Sequence, residues 1–254
     1  MDLFVSTPST STPGTTDPSA TTGSAARPSR TPRPSRAART AQLKAELGAI
    51  RPNRLQRLGG AALIAAPLLF TGGMLTSPEQ TAPGEAGYIQ SLAADPALSL
   101  VSANFLHYGW VALVFGAIAT LGLLRGRRGR VFLPIAAVVL AFGAVQMSGL
   151  LLSDWFLVSA GNVLSIDDAV MMDAAAKEWS VAIWQYTGMV GGLLGIGLIS
   201  LALARAKAIS WWIAPLGFLP WIVPAVGLGP VGVVLALLCY APLLVAGARL
   251  VSAR

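Results

Sequence analysis

The stretch GWVALVFGAIATLGLLRGRRGRVFLPIAAVVLAFGA, residues 109–144, decides the fold of this chain. It consists of two apolar runs joined by a short break that carries Arg125, Arg127, Arg128 and Arg130. About 20 apolar residues in an α-helix are enough to cross the hydrocarbon core of a bilayer. Short cytoplasmic loops beside membrane spans are enriched in Lys and Arg. The stretch therefore predicts two membrane spans joined by a cytoplasmic turn.

The same asymmetry of charge extends over the whole chain. Seventeen of the eighteen Lys and Arg residues fall on one side of the hydrophobic runs, and only Lys177 falls on the other. Eight of the eleven acidic residues lie on the side of Lys177 or at its edge. Because the side rich in Lys and Arg is normally the cytoplasm, we expect a multi-pass protein of the plasma membrane with both termini in the cytoplasm.

Composition excludes several classes of protein. Hydrophobic residues make up 54% of the chain and charged residues 11%, whereas soluble domains contain roughly 25% charged residues. The net charge of +7 is concentrated where membrane orientation requires it, so it indicates no nucleic-acid partner. The single cysteine, Cys239, allows no intrachain disulfide. With His107 as the single histidine, the chain offers too few ligands for an ordinary zinc site, and we expect no metal and no cofactor.

The hydrophobic pattern predicts an all-α membrane protein with a six-helix transmembrane domain over residues 58–250. Pro215, Pro220 and Pro224 should kink the fifth span. The connections 76–98 and 158–180 lie on the outer side, and each is predicted to contain a short helix. Ser165 and Asp168 fit a cap at the start of the second of these helices, which could continue into the fourth span. The predicted spans are 58–75, 99–124, 131–157, 181–204, 209–226 and 230–248.

The N-terminal region is predicted to differ from the rest. Residues 1–40 are rich in Ser, Thr, Pro and Arg and are expected to be disordered in the cytoplasm. Residues 41–57 are predicted to form an amphipathic helix on the membrane surface and a linker. Arginines recur at every third position between prolines, which in a polyproline II helix would align them on one edge. They are interpreted either as contacts for anionic lipids or an acidic partner, or as an orientation anchor: Arg27, Arg30, Arg33, Arg36 and Arg39.

Small residues recur at helical spacing in two spans. The fourth span contains two GxxxG patterns, made by Gly188 with Gly192 and by Gly191 with Gly195. Small residues let helix backbones approach closely in lipid. The third span offers a matching stripe of Ala137, Ala141, Ala144 and Ser148. The pattern predicts packing of the third span on the fourth, and the alternative is an interface in a homo-oligomer.

Three polar side chains in the spans, His107, Asp154 and Gln185, are predicted to lie at one level. At 1.5 Å per residue they stand about 26 to 35 Å from the inner ends of their spans, and the hydrocarbon core is about 30 Å thick. One interpretation is an outward-facing ligand pocket in which His107 and Asp154 form a charge pair. The other is an interfacial belt of side chains that reach water. Four neighbours belong to the same level: Asn104, Tyr108, Trp155 and Tyr186.

The region from Tyr88 to Arg130 carries a family resemblance. It reads as an outer helix ending in Ala-Asp-Pro, then Asn-Phe-Leu-His-Tyr-Gly-Trp, an Ala/Leu/Gly span, and Arg-Gly-Arg-Arg-Gly-Arg. This pattern resembles small multi-pass membrane proteins of high-GC actinobacteria, which belong to domain-of-unknown-function families with four to six spans. The resemblance covers about residues 58–205 of this sequence. It implies the membrane fold and assigns no role to any residue.

Three functions from different classes are compatible with these observations. The first is a non-enzymatic membrane protein that binds a lipid, a small ligand or a protein partner near the outer leaflet. The second is a small transporter or a component of an export or immunity system, which should place polar groups and broken helices near the midplane. The third is an intramembrane enzyme, for which only His107 and Asp154 offer acid–base chemistry.

Overall fold

The computed structural model describes Ser35 and residues 54–124, 127–226 and 228–252. The chain divides into two units, Met1–Ala49 and Ile50–Arg254, and the description below concerns the second. The predicted disordered tail with its five arginines and most of the predicted surface helix lie outside the described residues. Within the described residues every regular element is helical, which confirms the prediction of an all-α chain.

Ten α-helices make up the described part of the chain. One 3₁₀ turn, Thr120–Leu123, extends α3, and one π-helical turn, Val190–Leu194, joins α6 to α7. The helices are α1 (Arg54–Thr76), α2 (Gly84–Ala94), α3 (Pro96–Ala119), α4 (Phe132–Val163), α5 (Ile166–Ala176), α6 (Trp179–Met189), α7 (Gly195–Arg205), α8 (Ile222–Ala225), α9 (Gly229–Cys239) and α10 (Ala241–Ser252).

Four helices are long and apolar enough to cross a membrane. They are α1, α3 with its 3₁₀ turn, α4, and the continuous segment Trp179–Arg205. The pair α9 and α10 adds a fifth if it counts as one span, although it bends by 47°. Pro242 lies in the first turn of α10, where it lacks an N–H and its ring meets the carbonyl of the preceding turn. The prediction of several helices that are able to cross a membrane is confirmed, whereas their crossing of a membrane and the number of spans, six, stay predictions.

The predicted fifth span, 209–226, is not one helix. It contains a 3₁₀ turn at Ala214–Phe218 and the single helical turn α8. Pro215, Pro220 and Pro224 recur too closely for an uninterrupted ladder of backbone hydrogen bonds, because each removes a donor and obstructs the preceding turn. The expected kink is therefore a break.

Local capping explains where α3 and α5 begin. The carboxylate of Asp95 accepts a hydrogen bond from the backbone N–H of Leu98 at 3.0 Å, and Pro96 occupies the first turn of α3. At the start of α5 the Ser165 hydroxyl accepts from the backbone N–H of Asp168 at 3.2 Å and donates to its carboxylate at 2.6 Å. The predicted cap is confirmed. The helix ends at Ala176, however, and α6 begins separately at Trp179.

Glycines set the closest helix contacts. A Cβ atom on Gly59 of α1 would lie 2.1 Å from Cβ of Ala119 in α3, and one on Gly247 of α10 would lie 2.7 Å from the carbonyl oxygen of Gly60. A Cβ atom on Gly143 of α4 would lie 2.1 Å from the carbonyl carbon of Gly191 in the π-helical turn. The glycines of the fourth span therefore pack within the chain, as the small-residue pattern predicted.

The face of α4 that meets these glycines differs from the predicted stripe. The atoms nearest to Gly188, Gly191, Gly192 and Gly195 belong to other residues of α4, whereas Ser148 turns to His107 of α3. Each residue turns the helix by 100°, so several parallel stripes along α4 have the same spacing in sequence. The spacing alone therefore does not show which stripe faces the glycines. The contacting residues of α4 are Val139, Leu140, Gly143, Gln146 and Met147.

Charge separates the two ends of the bundle. The basic end is the one where α1 begins and α3 ends, and Gly129 lies there against Ala206, just after α7. It carries Arg54, Arg57, Arg127, Arg128, Arg130, Arg205, Lys207 and Arg249. The acidic end lies at the opposite ends of these helices, where α2 and α5 pack on α4 through Ile89, Leu157 and Ala169. It carries Glu79, Glu85, Asp95, Asp154, Asp167, Asp168, Asp173 and Glu178, together with Lys177.

Candidate functional site

A cavity of about 260 Å³ opens at the acidic end between α2, α4, α5 and α6. We call it the acidic-end cavity. Its walls are mostly apolar and include Met147, Leu151 and the ring of Trp184. A mainly apolar cavity with a few convergent polar groups is the usual form of a small-molecule site. The polar side chains that line it are Glu85, Tyr88, Ser153, Asp154, Asp173, Lys177 and Gln185.

Asp154 is held in the wall of the cavity by Tyr88. The Tyr88 hydroxyl, on α2, donates a hydrogen bond of 2.7 Å to Oδ1 of Asp154, on α4. Burial and the neighbouring Asp154 carboxylate, which also accepts its hydrogen bond, raise the pKa of Tyr88 far above its usual value. Tyr88 therefore remains a donor at any physiological pH. A carboxylate can accept about four hydrogen bonds, so Asp154 keeps acceptor capacity for a ligand.

Lys177 joins two acidic residues at the mouth of the cavity. Its ammonium contacts the Glu85 carboxylate of α2 and lies 2.6 Å from Oδ2 of Asp173 in α5. Burial raises the pKa of Asp173, but hydrogen bonds with Glu85 and Lys177 and the positive charge of Lys177 outweigh burial, so the pKa is lowered. Burial lowers the pKa of Lys177, and the two carboxylates raise it by more. At neutral pH Lys177 and Asp173 are therefore both charged.

The cavity contains more acidic than basic side chains. Three carboxyl groups, those of Glu85, Asp154 and Asp173, face one ammonium group. Trp184 adds an aromatic surface, which attracts cations through the electron density of its face. Among the described residues no group of three or more His, Cys, Asp and Glu side chains is arranged to hold a metal ion. The acidic groups and the Trp184 ring are both of the kind that attracts an organic cation.

Two of the seven residues predicted as ligand contacts, Asp154 and Gln185, line the acidic-end cavity. His107 instead turns towards Ser148 of α4, with Nδ1 at 3.0 Å from the hydroxyl oxygen and 3.2 Å from the carbonyl oxygen. The ion pairs around the cavity join Lys177 to Glu85 and Asp173, and none joins His107 to Asp154. The expected charge pair of His107 with Asp154 is therefore absent from the described part of the chain, and the partner of Asp154 is Tyr88.

The other four predicted residues lie outside the cavity. Asn104 donates a hydrogen bond of 2.7 Å to the carbonyl oxygen of Leu100 within its own helix. The rings of Tyr108 and Trp155 contact the His107 ring, with centroids 4.9 and 6.0 Å away. The side chains of Tyr108 and Tyr186 are exposed on the surface of the bundle, as an interfacial belt requires. The seven residues therefore divide between the cavity, the contact with His107 and the surface, and both interpretations of this level stay predictions.

The pair of Ser148 and His107 does not form an active site of the serine hydrolase type. A nucleophilic serine needs a base, and its reaction needs N–H donors for the developing oxyanion. Ser148 lies in the interior of α4, where the backbone amides are engaged in the helix. The geometry is that of a hydrogen-bonded contact between α3 and α4.

A second polar pair lies on the surface of the bundle, further along α4 and α6 from the acidic end. The amide nitrogen of Gln146 in α4 donates a hydrogen bond of 2.9 Å to the Thr187 hydroxyl of α6. Thr187 in turn donates to the carbonyl oxygen of Ile183 at 2.8 Å. The pair lies just before the π-helical turn Val190–Leu194, and π-helical turns are frequent at functional sites.

Sequence reasoning missed the contributions of α2 and α5 to the site. Tyr88, Glu85, Asp173 and Lys177 lie outside the long apolar runs, so their height in a span could not be counted. One signal was available, because Lys177 is the only basic residue on its side of the membrane pattern.

No family model, no curated protein and no solved structure matches this chain. The resemblance to small actinobacterial membrane proteins therefore stays a prediction, and the geometry of the acidic-end cavity is the basis for a functional assignment.

Proposed function

We propose that this protein is a non-enzymatic multi-pass membrane protein that binds a small organic cation in the acidic-end cavity. The observation that carries the proposal is the position of Asp154, whose carboxylate is fixed by Tyr88 in the wall of a cavity that also holds Trp184. An acidic residue on a membrane span is costly and is normally kept for a function. A ligand ammonium or guanidinium group compensates this charge directly.

The size of the cavity limits the ligand. Ligand cavities usually measure roughly 300 to 1,000 Å³, and this one has about 260 Å³. A short diamine, a quaternary ammonium compound or a guanidino compound is of suitable size. A cationic side chain of a protein partner has the same chemistry as these compounds. A cavity that accepts only such a side chain would not bind the free cation in solution, and this difference distinguishes the two ligands.

The proposal includes six crossings, with the basic end in the cytoplasm and the cavity facing outwards. The contact between Gly60 and Gly247 supports an even number of crossings, because it brings the start of α1 beside the end of α10. The segment 209–226 must then return the chain from the basic end to the acidic end. Its Gly217 contacts Ser200 of α7, and its Trp221 stacks on Trp110 of α3 at 5.5 Å between ring centroids.

Transport of the cation is the second candidate function. It is favoured by the broken segment 209–226, the bend between α9 and α10, and the π-helical turn beside Gln146 and Thr187. Discontinuous helices beside polar side chains are typical of secondary transporters. Uptake of a labelled cation into proteoliposomes separates the two functions, because a binding protein gives saturable binding without accumulation.

Intrinsic fluorescence of the seven tryptophans, of which Trp184 lines the cavity, offers a binding test when the wild-type protein is compared with Trp184→Phe. The purified protein is titrated with putrescine, agmatine and choline, with succinate as the anionic control. We expect saturable quenching by at least one cation and none by succinate. Asp154→Asn should weaken binding about tenfold or more, because a hydrogen bond to a charged group contributes roughly 1.5 to 3 kcal/mol. Asp167→Asn is the matched control, since Asp167 is exposed on α5 outside the cavity.

The outcomes of this titration are decisive. Equal affinities of the Asp154→Asn and Asp167→Asn variants would contradict the role of the cavity. The absence of saturable binding by all three cations would contradict the ligand class.

A further inference from the structure

A second cavity lies at the basic end, remote from the acidic-end cavity. It is a groove of about 610 Å³ between the first turns of α1 and the last turns of α3. Small residues, Gly59, Ala62, Ala119 and Gly122, form its floor. Larger apolar side chains, among them Leu58 and Phe115, form its walls. The lining is almost entirely carbon.

The shape of the groove follows from the helix contact beneath it. Gly59 and Ala119 bring α1 and α3 together so closely that no side chain fits between them at this level. Leu58 and Phe115 project on either side, and their side chains are 67% and 62% exposed. A groove lined by apolar side chains is complementary in its chemistry to the hydrocarbon chain of a lipid.

Arginines that are close in sequence to both sides of the groove, at the basic end of the bundle, select the headgroup. Arg54 begins α1, one turn before Leu58. On the other side of the groove, the chain continues after the end of α3 to Arg127 and Arg128. The side chains of these three arginines are exposed. All eight acidic residues in the described part of the chain belong to the acidic end, so no carboxylate from that part competes for these arginines. Guanidinium groups bind phosphate in a bidentate geometry.

We propose that the groove is a binding site for one anionic phospholipid, with an acyl chain along the small-residue floor and the phosphate on Arg54, Arg127 and Arg128. The site is independent of the cation proposed for the acidic-end cavity. It also differs from the arginine-rich tail, because it combines charge with an apolar groove and therefore holds a single lipid.

Native mass spectrometry of the full-length protein tests the site. The probes are phosphatidylglycerol and phosphatidylcholine with identical acyl chains. We expect the wild-type protein to retain one phosphatidylglycerol molecule in preference to phosphatidylcholine. Ala62→Phe fills the floor of the groove and should abolish retention of the lipid. Ala61→Phe is the matched control, since Ala61 is exposed on the same helix outside the groove.

The role of charge has its own variant. Each basic residue near an anionic membrane surface contributes about fivefold in affinity, so the triple change Arg54→Gln, Arg127→Gln and Arg128→Gln should remove the preference for phosphatidylglycerol. If the Ala62→Phe variant retained as much phosphatidylglycerol as the Ala61→Phe variant, the groove would not be the binding site. Equal retention of both lipids by the wild-type protein would overturn the choice of an anionic lipid.

Photo-crosslinking keeps the test valid if Ala62→Phe fails to fold. Phosphatidylglycerol with a diazirine at the end of one acyl chain is photolysed with the wild-type protein, and the labelled peptides are identified. Labels within residues 55–62 and 115–122 are expected. Labels spread evenly over the lipid-facing helices would show that no lipid occupies the groove.

Discussion

Replacement of Gly143 by alanine tests the helix contact on which the acidic-end cavity depends. A Cβ atom at this position would lie 2.1 Å from the carbonyl carbon of Gly191 and 2.1 Å from the nitrogen of Gly192. Carbon atoms in contact normally stand about 3.5 to 4.0 Å apart, so α4 and the π-helical turn would have to separate by roughly 1.5 Å. The obstructing atoms are backbone atoms, which cannot turn aside as a flexible side chain can.

The expected loss of stability can be estimated from two opposing effects. Overpacking of this kind costs about 1 to 3 kcal/mol. Alanine in place of glycine inside a helix recovers about 0.5 to 1 kcal/mol. Since the obstructing atoms belong to the backbone, the cost should lie near the upper end of its range, and Gly143→Ala should lower the free energy of unfolding by about 2 kcal/mol. It should also weaken cation binding, because α4 carries Asp154 and α6 carries Trp184.

Gly72→Ala provides the matched control. Gly72 also lies inside a membrane helix, but a Cβ atom there would meet only the Phe105 ring, at 3.6 Å. This variant should be neutral or slightly more stable than the wild-type protein. Thermal unfolding of both variants in one detergent is the assay, and a difference in midpoint of roughly 5 °C is expected. Equal midpoints would refute the close approach of α4 to the π-helical turn.

Two further predictions concern the mouth of the cavity and the topology. Asp173 has a lowered pKa, so its stabilising effect is present above pH about 4 and is lost as the pH falls through that pKa. Lys177→Met should raise the pKa of Asp173 and move acid unfolding, followed by circular dichroism, to higher pH. An unchanged acid transition would contradict a stabilising ion pair between Lys177 and Asp173. With Cys239 replaced by alanine, an impermeant thiol reagent on intact cells should label Gln80→Cys and spare Arg127→Cys, and the reverse pattern would overturn the orientation.

The positions of the main spans could be predicted because the signal is local. The helices α1, α3, α4 and Trp179–Arg205 begin and end within a few residues of the predicted spans, except that α4 extends to Val163. Hydrophobicity over about 20 residues is sufficient to predict a membrane helix, since in a bilayer each backbone polar group must be satisfied within its own helix. The segment 209–226 departs from this rule, because its three prolines interrupt the ladder and tertiary contacts such as Trp221 on Trp110 replace it.

The partners of the polar side chains could not be predicted from height alone. His107, Asp154 and Gln185 lie on different helices at one predicted level, yet His107 contacts Ser148 and Asp154 contacts Tyr88. Height follows from the rise per residue, whereas the direction of a side chain follows from the rotation of its helix. That rotation is set by close contacts such as Gly143 with Gly191, which depend on both helices at once.

The sequence by itself determined the all-helical character of the described chain, the location of its principal apolar helices and the separation of basic from acidic residues. These properties depend on neighbours along the chain and on the cost of placing charge in lipid. Only the tertiary structure decided which side chains form the acidic-end cavity. Glu85 and Tyr88 arrive on α2, and Lys177 follows α5, because these short helices fold back over the end of α4 and bury Ile89 and Ala169 there. Such contacts between distant segments minimise exposed apolar surface in three dimensions, and no local pattern encodes them.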